Sequence, residues 1–135
     1  MKIEQQVVSL ELAKKLKELG VKQESAFYFR RHIESDVVFG PQYTKGFPLK
    51  DSRNGYIAAF TVAELGEMLP GSIECGFKQG QARMVLVIGK VLDIDYMVSY
   101  RNVKLSPPII VTDQTEANAR AKMLIHLIEQ GIVNP

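Results

Sequence analysis

Leucines recur at helical spacing near the start of the chain. Leu12, Leu16 and Leu19 follow one another at intervals of four and three residues, which places them on one face of an α-helix. Ser9 is a candidate N-cap before this stripe, and Gly20 follows its last leucine. The pattern therefore predicts a first helix between Ser9 and Gly20.

A second helix is predicted from the segment FTVAELGEMLPG, residues 60–71. Thr61 and Glu64 have the spacing of a capping box, and Pro70 with Gly71 ends the helical pattern. Gly66 inside this helix costs about 1 kcal/mol relative to alanine. Because that cost is offset if a neighbouring element packs close, we expect a close contact there.

The last helix is predicted from an apolar stripe near the end of the chain. Asp113 and Glu116 precede the stripe as a candidate capping pair, and Gly131 follows it. The stripe consists of Ala117, Ala121, Leu124, Ile125 and Ile128.

Strand patterns occupy the rest of the chain. Residues 26–33 alternate with a period of two, and residues 72–78 and 83–90 are predicted to form a β-hairpin, followed by a strand over 95–101. Residues 34–56 are rich in glycine and proline and predict a long connection, with a short strand at 37–39.

This order of elements predicts an α+β fold with an antiparallel sheet of about four strands and three helices packed on it, in one domain over 1–135. Residues 84–88 are apolar on both faces of their strand, which is typical of a strand covered on both sides. We therefore expect an α/β/α sandwich-like arrangement. The alternative is a two-layer fold whose open sheet face is covered by a second copy, which would form a homodimer.

Composition narrows the classes of partner and site. The 17 basic and 15 acidic residues give a net charge of +2, so a nucleic-acid site would have to be local. Cys75 is the only cysteine, and the sequence has no cluster of zinc ligands and no cofactor motif. It also shows no signal peptide and no run of about 20 apolar residues. We expect a cytoplasmic protein without metal, cofactor or membrane partner.

Three segments carry a family resemblance: VVSLELAKKLKELGVKQES, FTVAELGEMLP and TEANARAKMLIHLIEQGIV. In these segments the chain resembles a group of small uncharacterised proteins encoded by phages, prophages and other mobile elements. The resemblance implies an α+β domain and a mobile-element origin. It implies no activity and no catalytic residues.

One local group of basic and aromatic residues is a candidate nucleic-acid site. Tyr28, Arg30 and His32 alternate along one strand, where aromatic rings stack on bases and cations neutralise phosphate. The alternative is a solvated strand end whose charges discourage edge-to-edge pairing. The complete candidate site consists of Tyr28, Arg30, His32, Lys45, Lys50 and Arg53.

Catalytic and metal sites receive weaker support from the sequence. His32 could act as a general base oriented by Glu34 or Asp36, but no recognisable motif pairs it with a nucleophile. Asp93 and Asp95 have a spacing that suits a divalent cation, and a turn between two strands explains them equally well. We predict no catalytic residues and no metal ligands.

The sequence thus favours a non-catalytic accessory or interaction module of a phage or mobile element, with a protein partner that it does not identify. The first alternative is an accessory protein that binds nucleic acid through the basic and aromatic patch. The second alternative is a small enzyme centred on His32.

Overall fold

A computed structural model describes residues 2–31, 38–43, 55–77, 80–102 and 107–135. These residues contain four helices, α1 (Ile3–Gln6), α2 (Leu10–Glu18), α3 (Val62–Met68) and α4 (Glu116–Glu129). They also contain seven strands: β1 (Phe27–Arg31), β2 (Val38–Tyr43), β3 (Tyr56–Ala58), β4 (Ser72–Phe77), β5 (Gly80–Val91), β6 (Asp95–Arg101) and β7 (Ile109–Asp113).

The strands form two antiparallel sheets. The larger sheet has the order β4-β5-β6-β7, so each strand pairs with its neighbour in the chain. The smaller sheet has the order β2-β1-β3. The predicted α+β class and the antiparallel sheet of four strands are confirmed, and β4 and β5 form the predicted hairpin.

Two strands and one helix were not predicted from the sequence. The short helix α1 lies before α2, β7 lies directly before α4, and β3 begins at Tyr56, where the sequence predicts a connection. β2 is also longer than the short strand predicted at 37–39 and continues through Pro41. Proline is tolerated there because β2 is an edge strand, which needs backbone donors on one side only.

The predicted helix boundaries depend on local caps, and the structure confirms two of the three helix starts. Ser9 occupies the N-cap position of α2 without a side-chain cap hydrogen bond, and Thr61 and Glu64 form the predicted capping box of α3. α4 differs from the prediction, because Thr115 rather than Asp113 is its N-cap and its hydroxyl accepts a hydrogen bond from the Asn118 backbone N–H.

α2 and α4 end two residues before the predicted stop glycines, Gly20 and Gly131. Both glycines have positive φ, 89° and 70°, a conformation that side chains with a β-carbon rarely adopt. At the end of α4 the N–H of Gly131 donates to Ile128 O and the N–H of Ile132 donates to Leu127 O. These bonds satisfy the last carbonyls of the helix, as in a Schellman motif.

The helices pack against one face of the larger sheet, which we call the inner face. α4 contacts β6 and β7, and α2 and α3 pack against α4. The buried side chains of both sheets and of α2, α3 and α4 belong to one hydrophobic cluster. The largest members that are fully buried are Tyr100, Phe60, Leu16, Leu65, Met84, Met123, Leu124 and Leu127.

The opposite face of the larger sheet differs from the expected α/β/α layering. Met84 on β5 points into the core, but Val85 is 50% exposed and Val87 is 37% exposed. In the part of the chain that the structure describes, the helices therefore form a layer on one side of β5. The apolar pattern of residues 84–88 reflects a buried inner face and an apolar face that stays open.

Candidate interaction surface

The residues predicted to contact nucleic acid do not form one exposed strip on β1. Tyr28 is 2% exposed, and its hydroxyl accepts a hydrogen bond from Ser25 N–H at 3.0 Å and donates one to Gln23 O at 3.1 Å. Arg30 is exposed. The pairing register of β1 with β2 shifts between these two residues, and Phe29 is buried as well. The extra residue lies on β2, because Gln42 to Phe39 takes three steps where Tyr28 to Arg30 takes two, and β1 pairs with β3 without a break. β1 therefore keeps its alternation, with Tyr28 and Phe29 buried on opposite faces.

Tyr28 is therefore a core residue whose ring does not offer a face for base stacking. The other members of the predicted patch are His32, Lys45, Lys50 and Arg53, and these four residues lie outside the described ranges. Glu34 and Asp36, the carboxylates expected beside His32, lie outside them too. The nucleic-acid and enzyme hypotheses stay predictions.

A different surface is the most unusual feature of the described residues. The residues of β5 that point away from the helices are apolar or glycine from Val85 to Val91. Ile110 on β7 is exposed on the same face, on the far side of Ser99 of β6. Antiparallel sheets with one open face usually carry polar residues there. We call this surface the outer face. It comprises Ser72 and Glu74 on β4, Arg83, Val85, Val87, Gly89 and Val91 on β5, Asp95, Met97, Ser99 and Arg101 on β6, and Ile110 and Thr112 on β7.

The turn between β5 and β6 extends this apolar surface. Leu92 is 86% exposed and Ile94 is 72% exposed. Leu92 and Asp93 both have positive φ, 52° and 62°, and the Ile94 N–H closes the turn on Val91 O at 3.2 Å. Such turns usually carry asparagine or glycine, because a left-handed conformation costs other residues about 1–2 kcal/mol.

Charged residues lie at the two ends of the outer face. Arg83 and Arg101 lie near the start of the apolar stretch, and Asp93 and Asp95 lie near its end. Arg83 forms an exposed ion pair with Glu74 of β4, with 3.9 Å between Nη2 and Oε1. With Glu74 counted, one end of the outer face carries a net charge of +1 from Arg83 and Arg101, and the other end carries −2 from Asp93 and Asp95.

Arg101 lies along its own strand in this structure. Its Nε donates a hydrogen bond to the Ser99 hydroxyl at 3.0 Å, and its Nη2 contacts the Met97 sulfur at 3.2 Å. Ser99 is fully buried, and its hydroxyl lies 3.4 Å from Val87 O. The guanidinium thus rests on the outer face without a carboxylate partner among the described residues.

A groove beside β4, at the edge of the larger sheet, is a second candidate site. An open groove of about 680 Å³ separates the end of α3 from the segment after α4, with Met68, Ile73 and Ile132 among its apolar lining residues. Glu67 and Glu74 are its ionisable lining residues. This groove suits an apolar group next to a cation, but neither glutamate forms part of a larger cluster: the described residues contain no group of three His, Cys, Asp or Glu side chains that could hold a metal ion.

The partly buried Glu64 carboxylate and the buried Tyr100 hydroxyl serve the fold. The Glu64 carboxylate accepts hydrogen bonds from the backbone N–H groups of Ala26 at 2.9 Å and Thr61 at 2.8 Å, and from the Ser25 hydroxyl at 2.9 Å. Burial raises the pKa of Tyr100 to about 12, and its hydroxyl donates to Pro70 O at 2.6 Å. These groups therefore have structural partners already.

Asp113 has a structural role of the same kind. Burial raises the pKa of its carboxyl, but hydrogen bonds from Lys122, Thr115 and Asn118, together with the charge of Lys122, outweigh burial and hold that pKa below its usual value. The Lys122 Nζ lies 2.6 Å from Oδ2. The carboxylate thus joins β7 to the first turns of α4.

Comparisons with known proteins give no family assignment. No family model, curated protein or solved structure matches this chain. The resemblance to phage and mobile-element proteins therefore stays a prediction. Within the described residues, no helix combines the length and the apolar character that crossing a membrane requires.

Proposed function

We propose that this protein is a non-catalytic interaction module and that the outer face is its protein-binding surface. The observation that carries the proposal is the exposed apolar stretch on β5, where Val85 and Val87 remain 50% and 37% accessible. Contiguous apolar patches are uncommon on monomeric soluble proteins and usually mark a binding site.

The β5–β6 turn supports the same proposal. The side chain of Leu92 is 86% exposed, so it gains little from burial. Leu92 also has a left-handed backbone conformation, which destabilises the turn relative to asparagine or glycine at that position. Strained positions of this kind tend to occur where they serve a function. Contact of Leu92 and Ile94 with a partner would offset that cost.

The polar groups around the core favour an interaction module over an enzyme. Glu64, Asp113 and Tyr100 each contact backbone or cap groups that would otherwise lose a hydrogen bond. They contribute to the stability of the fold and do not converge on the outer face. The resemblance of the helical segments adds the proposal that the module belongs to a phage or other mobile element and acts in the cytoplasm of its host.

A capture experiment tests the proposal. The tagged protein and the variant Val85→Lys/Val87→Lys are incubated with extract from host cells, and the proteins retained by each are identified by mass spectrometry. Two lysines on the outer face remove apolar contact area and add charge that a partner would have to desolvate. We expect the variant to lose at least 90% of one or more proteins that the native chain retains.

The matched control is Glu11→Lys on the exposed side of α2, which changes the net charge by the same two units away from the outer face. This control should retain the same proteins as the native chain. Equal retention by the native chain and the outer-face variant would show that the outer face does not bind these host proteins. The thermal unfolding temperature of each variant verifies that the fold is intact.

A further inference from the structure

The outer face is self-complementary about the level of Ile88. In the register of β5 and β6, Val85 lies beside Arg101 and Val91 lies beside Asp95. Ile88 lies midway between these two levels. Consider two copies whose outer faces meet, related by a twofold axis that lies between the sheets, perpendicular to β5 at Ile88. This axis places the Val85–Arg101 pair of one copy over the Val91–Asp95 pair of the other copy.

On the basis of the proposed function, we infer that the outer face binds a second copy of this chain, with β5 of the two copies antiparallel and the twofold axis at Ile88. In this register Val87 of each copy lies over Gly89 of the second copy. Among the described residues, no atom lies within 4 Å of the position that a β-carbon at Gly89 would take. The valine side chain therefore enters open space above the glycine.

The charges of the two copies are complementary in the same register. The basic end of one outer face lies over the acidic end of the other, so Arg101 faces Asp95 and Arg83 faces Asp93 of the second copy. Packed sheets lie about 10 Å apart at an angle of about 30°. An arginine and an aspartate side chain together reach across this distance.

Arg101 can change partner at little cost. In the free chain its Nη2 contacts the Met97 sulfur, a weak acceptor. A carboxylate is a much stronger acceptor for a guanidinium and binds it through two hydrogen bonds. Asp95 of a second copy would therefore attract the Arg101 side chain away from Met97.

The size of the surface sets the expected affinity. β5 and its turn span about 33 Å from residue 83 to residue 93, but β6 and β7 span only about 20 Å and about 13 Å, so at about 4.7 Å per strand two copies bury on the order of 600 Å². This area lies below that of most specific interfaces. We therefore expect weak self-association, with a dissociation constant of about 0.1 mM measured by sedimentation equilibrium.

Charge reversal tests the register. In Arg101→Glu the new glutamate faces Asp95 of the second copy, and in Asp95→Arg the new arginine faces Arg101. Each dimer then contains two repulsive pairs, so we expect each variant to self-associate at least tenfold more weakly than the native chain. In an equimolar mixture of the two variants both facing pairs are attractive, and the mixed dimer should form within about threefold of the native affinity.

A second pair of variants, Arg83→Asp and Asp93→Arg, repeats the test at the next level out and covers the case in which one of the first variants does not fold. Glu11→Lys on the exposed side of α2 is the control for a general effect of charge and should leave the dissociation constant unchanged.

The outcomes separate this inference from the proposed function. A native chain that stays monomeric up to about 1 mM, or a dimer that neither single variant weakens, would overturn the inference. A mixture that remains monomeric would do the same, because it contradicts the register. If host proteins are still lost on Val85→Lys/Val87→Lys in any of these cases, the outer face remains an interaction surface with a different partner.

Discussion

The guanidinium of Arg120 on α4 lies against the backbone of Gly66 on α3, in the space that a β-carbon at Gly66 would occupy. Glu116 holds the arginine there, with 3.0 Å between Arg120 Nε and Glu116 Oε1. This contact confirms the expectation that a neighbouring element packs close to Gly66. Because Gly66 has no β-carbon, the mostly buried Arg120–Glu116 ion pair fits between α3 and α4.

Gly66→Ala should therefore have different effects in two backgrounds. In the native chain the new methyl group displaces the flexible end of Arg120 from its place beside Glu116, which costs about 1 kcal/mol. This loss offsets the gain in helix propensity, so we expect a net change near zero in the free energy of unfolding. In an Arg120→Ala background the space is free, and the higher helix propensity of alanine should add about 0.5–1 kcal/mol. Urea unfolding of the four proteins measures both effects, and the same change in both backgrounds would contradict this explanation.

Glu64 is expected to contribute more stability than its capping partner. Glu64→Ala removes the acceptor for the backbone N–H groups of Thr61 and Ala26, so we expect a loss of about 2–3 kcal/mol. Thr61→Ala removes one cap bond and should cost about 1 kcal/mol. Thr61→Ser keeps the hydroxyl and is the matched control. The explanation fails if denaturant unfolding finds Glu64→Ala no more destabilised than Thr61→Ala.

Asp113 should make stability depend on pH in the acid range. Its pKa is lower in the folded protein than the value of about 3.9 in an unfolded chain, so its contribution is present above pH 4 and is lost as the pH falls through the folded pKa. Asp113→Asn lacks this contribution at every pH. We expect the variant to be about 1 kcal/mol less stable than the native chain at pH 7.

The difference between native chain and Asp113→Asn should then shrink as the pH falls below about 4. Thermal unfolding at a series of pH values measures it. Glu18→Gln, at an exposed position near the end of α2, is the control for loss of one negative charge. A difference that stays constant from pH 7 to pH 2 would show that the Asp113 carboxylate does not act through its charge.

Tyr100 should make stability depend on pH in the alkaline range. Burial raises its pKa to about 12, above the value of about 10 in an unfolded chain, so its contribution is present below pH 10 and is lost as the pH rises toward 12. Tyr100→Phe leaves the Pro70 carbonyl without its hydroxyl donor, and we expect a loss of about 1–2 kcal/mol at pH 7.

Between about pH 10 and pH 12 the native chain should lose stability more steeply than Tyr100→Phe. Denaturant unfolding across this range measures the two slopes, with Tyr96→Phe on the same strand as the control. Parallel slopes for the native chain and Tyr100→Phe would contradict the role given to the buried hydroxyl.

Local signals in the sequence identified the elements whose boundaries depend on nearby residues. Thr61 and Glu64 lie three positions apart and cap α3 by themselves, and Gly20 ends α2 through its own φ. α4 shows the limit of such signals, because its N-cap is Thr115 and not the predicted Asp113. Both residue types can cap a helix, and the extension of β7 as far as Asp113 decides between them.

Features that depend on distant parts of the chain could not be predicted in the same way. Tyr28 and Phe29 point to opposite faces of β1, so the burial of both depends on what packs against each face of the smaller sheet. Residues 84–88 read as apolar on both faces, but sequence alone does not tell whether a helix, a second chain or solvent covers each face. Only the packing of α4 on β6 and β7 shows which face remains open.

The order of the strands in the larger sheet also bears on how the chain folds. β4, β5, β6 and β7 pair in chain order through short connections, whereas β1 and β3 pair across the segment between residues 31 and 56. Closing a short loop loses less conformational entropy than closing a long one, so local pairings form sooner. The same sheet that carries the outer face is therefore expected to assemble early, and its apolar surface would be available to another chain before the smaller sheet is complete.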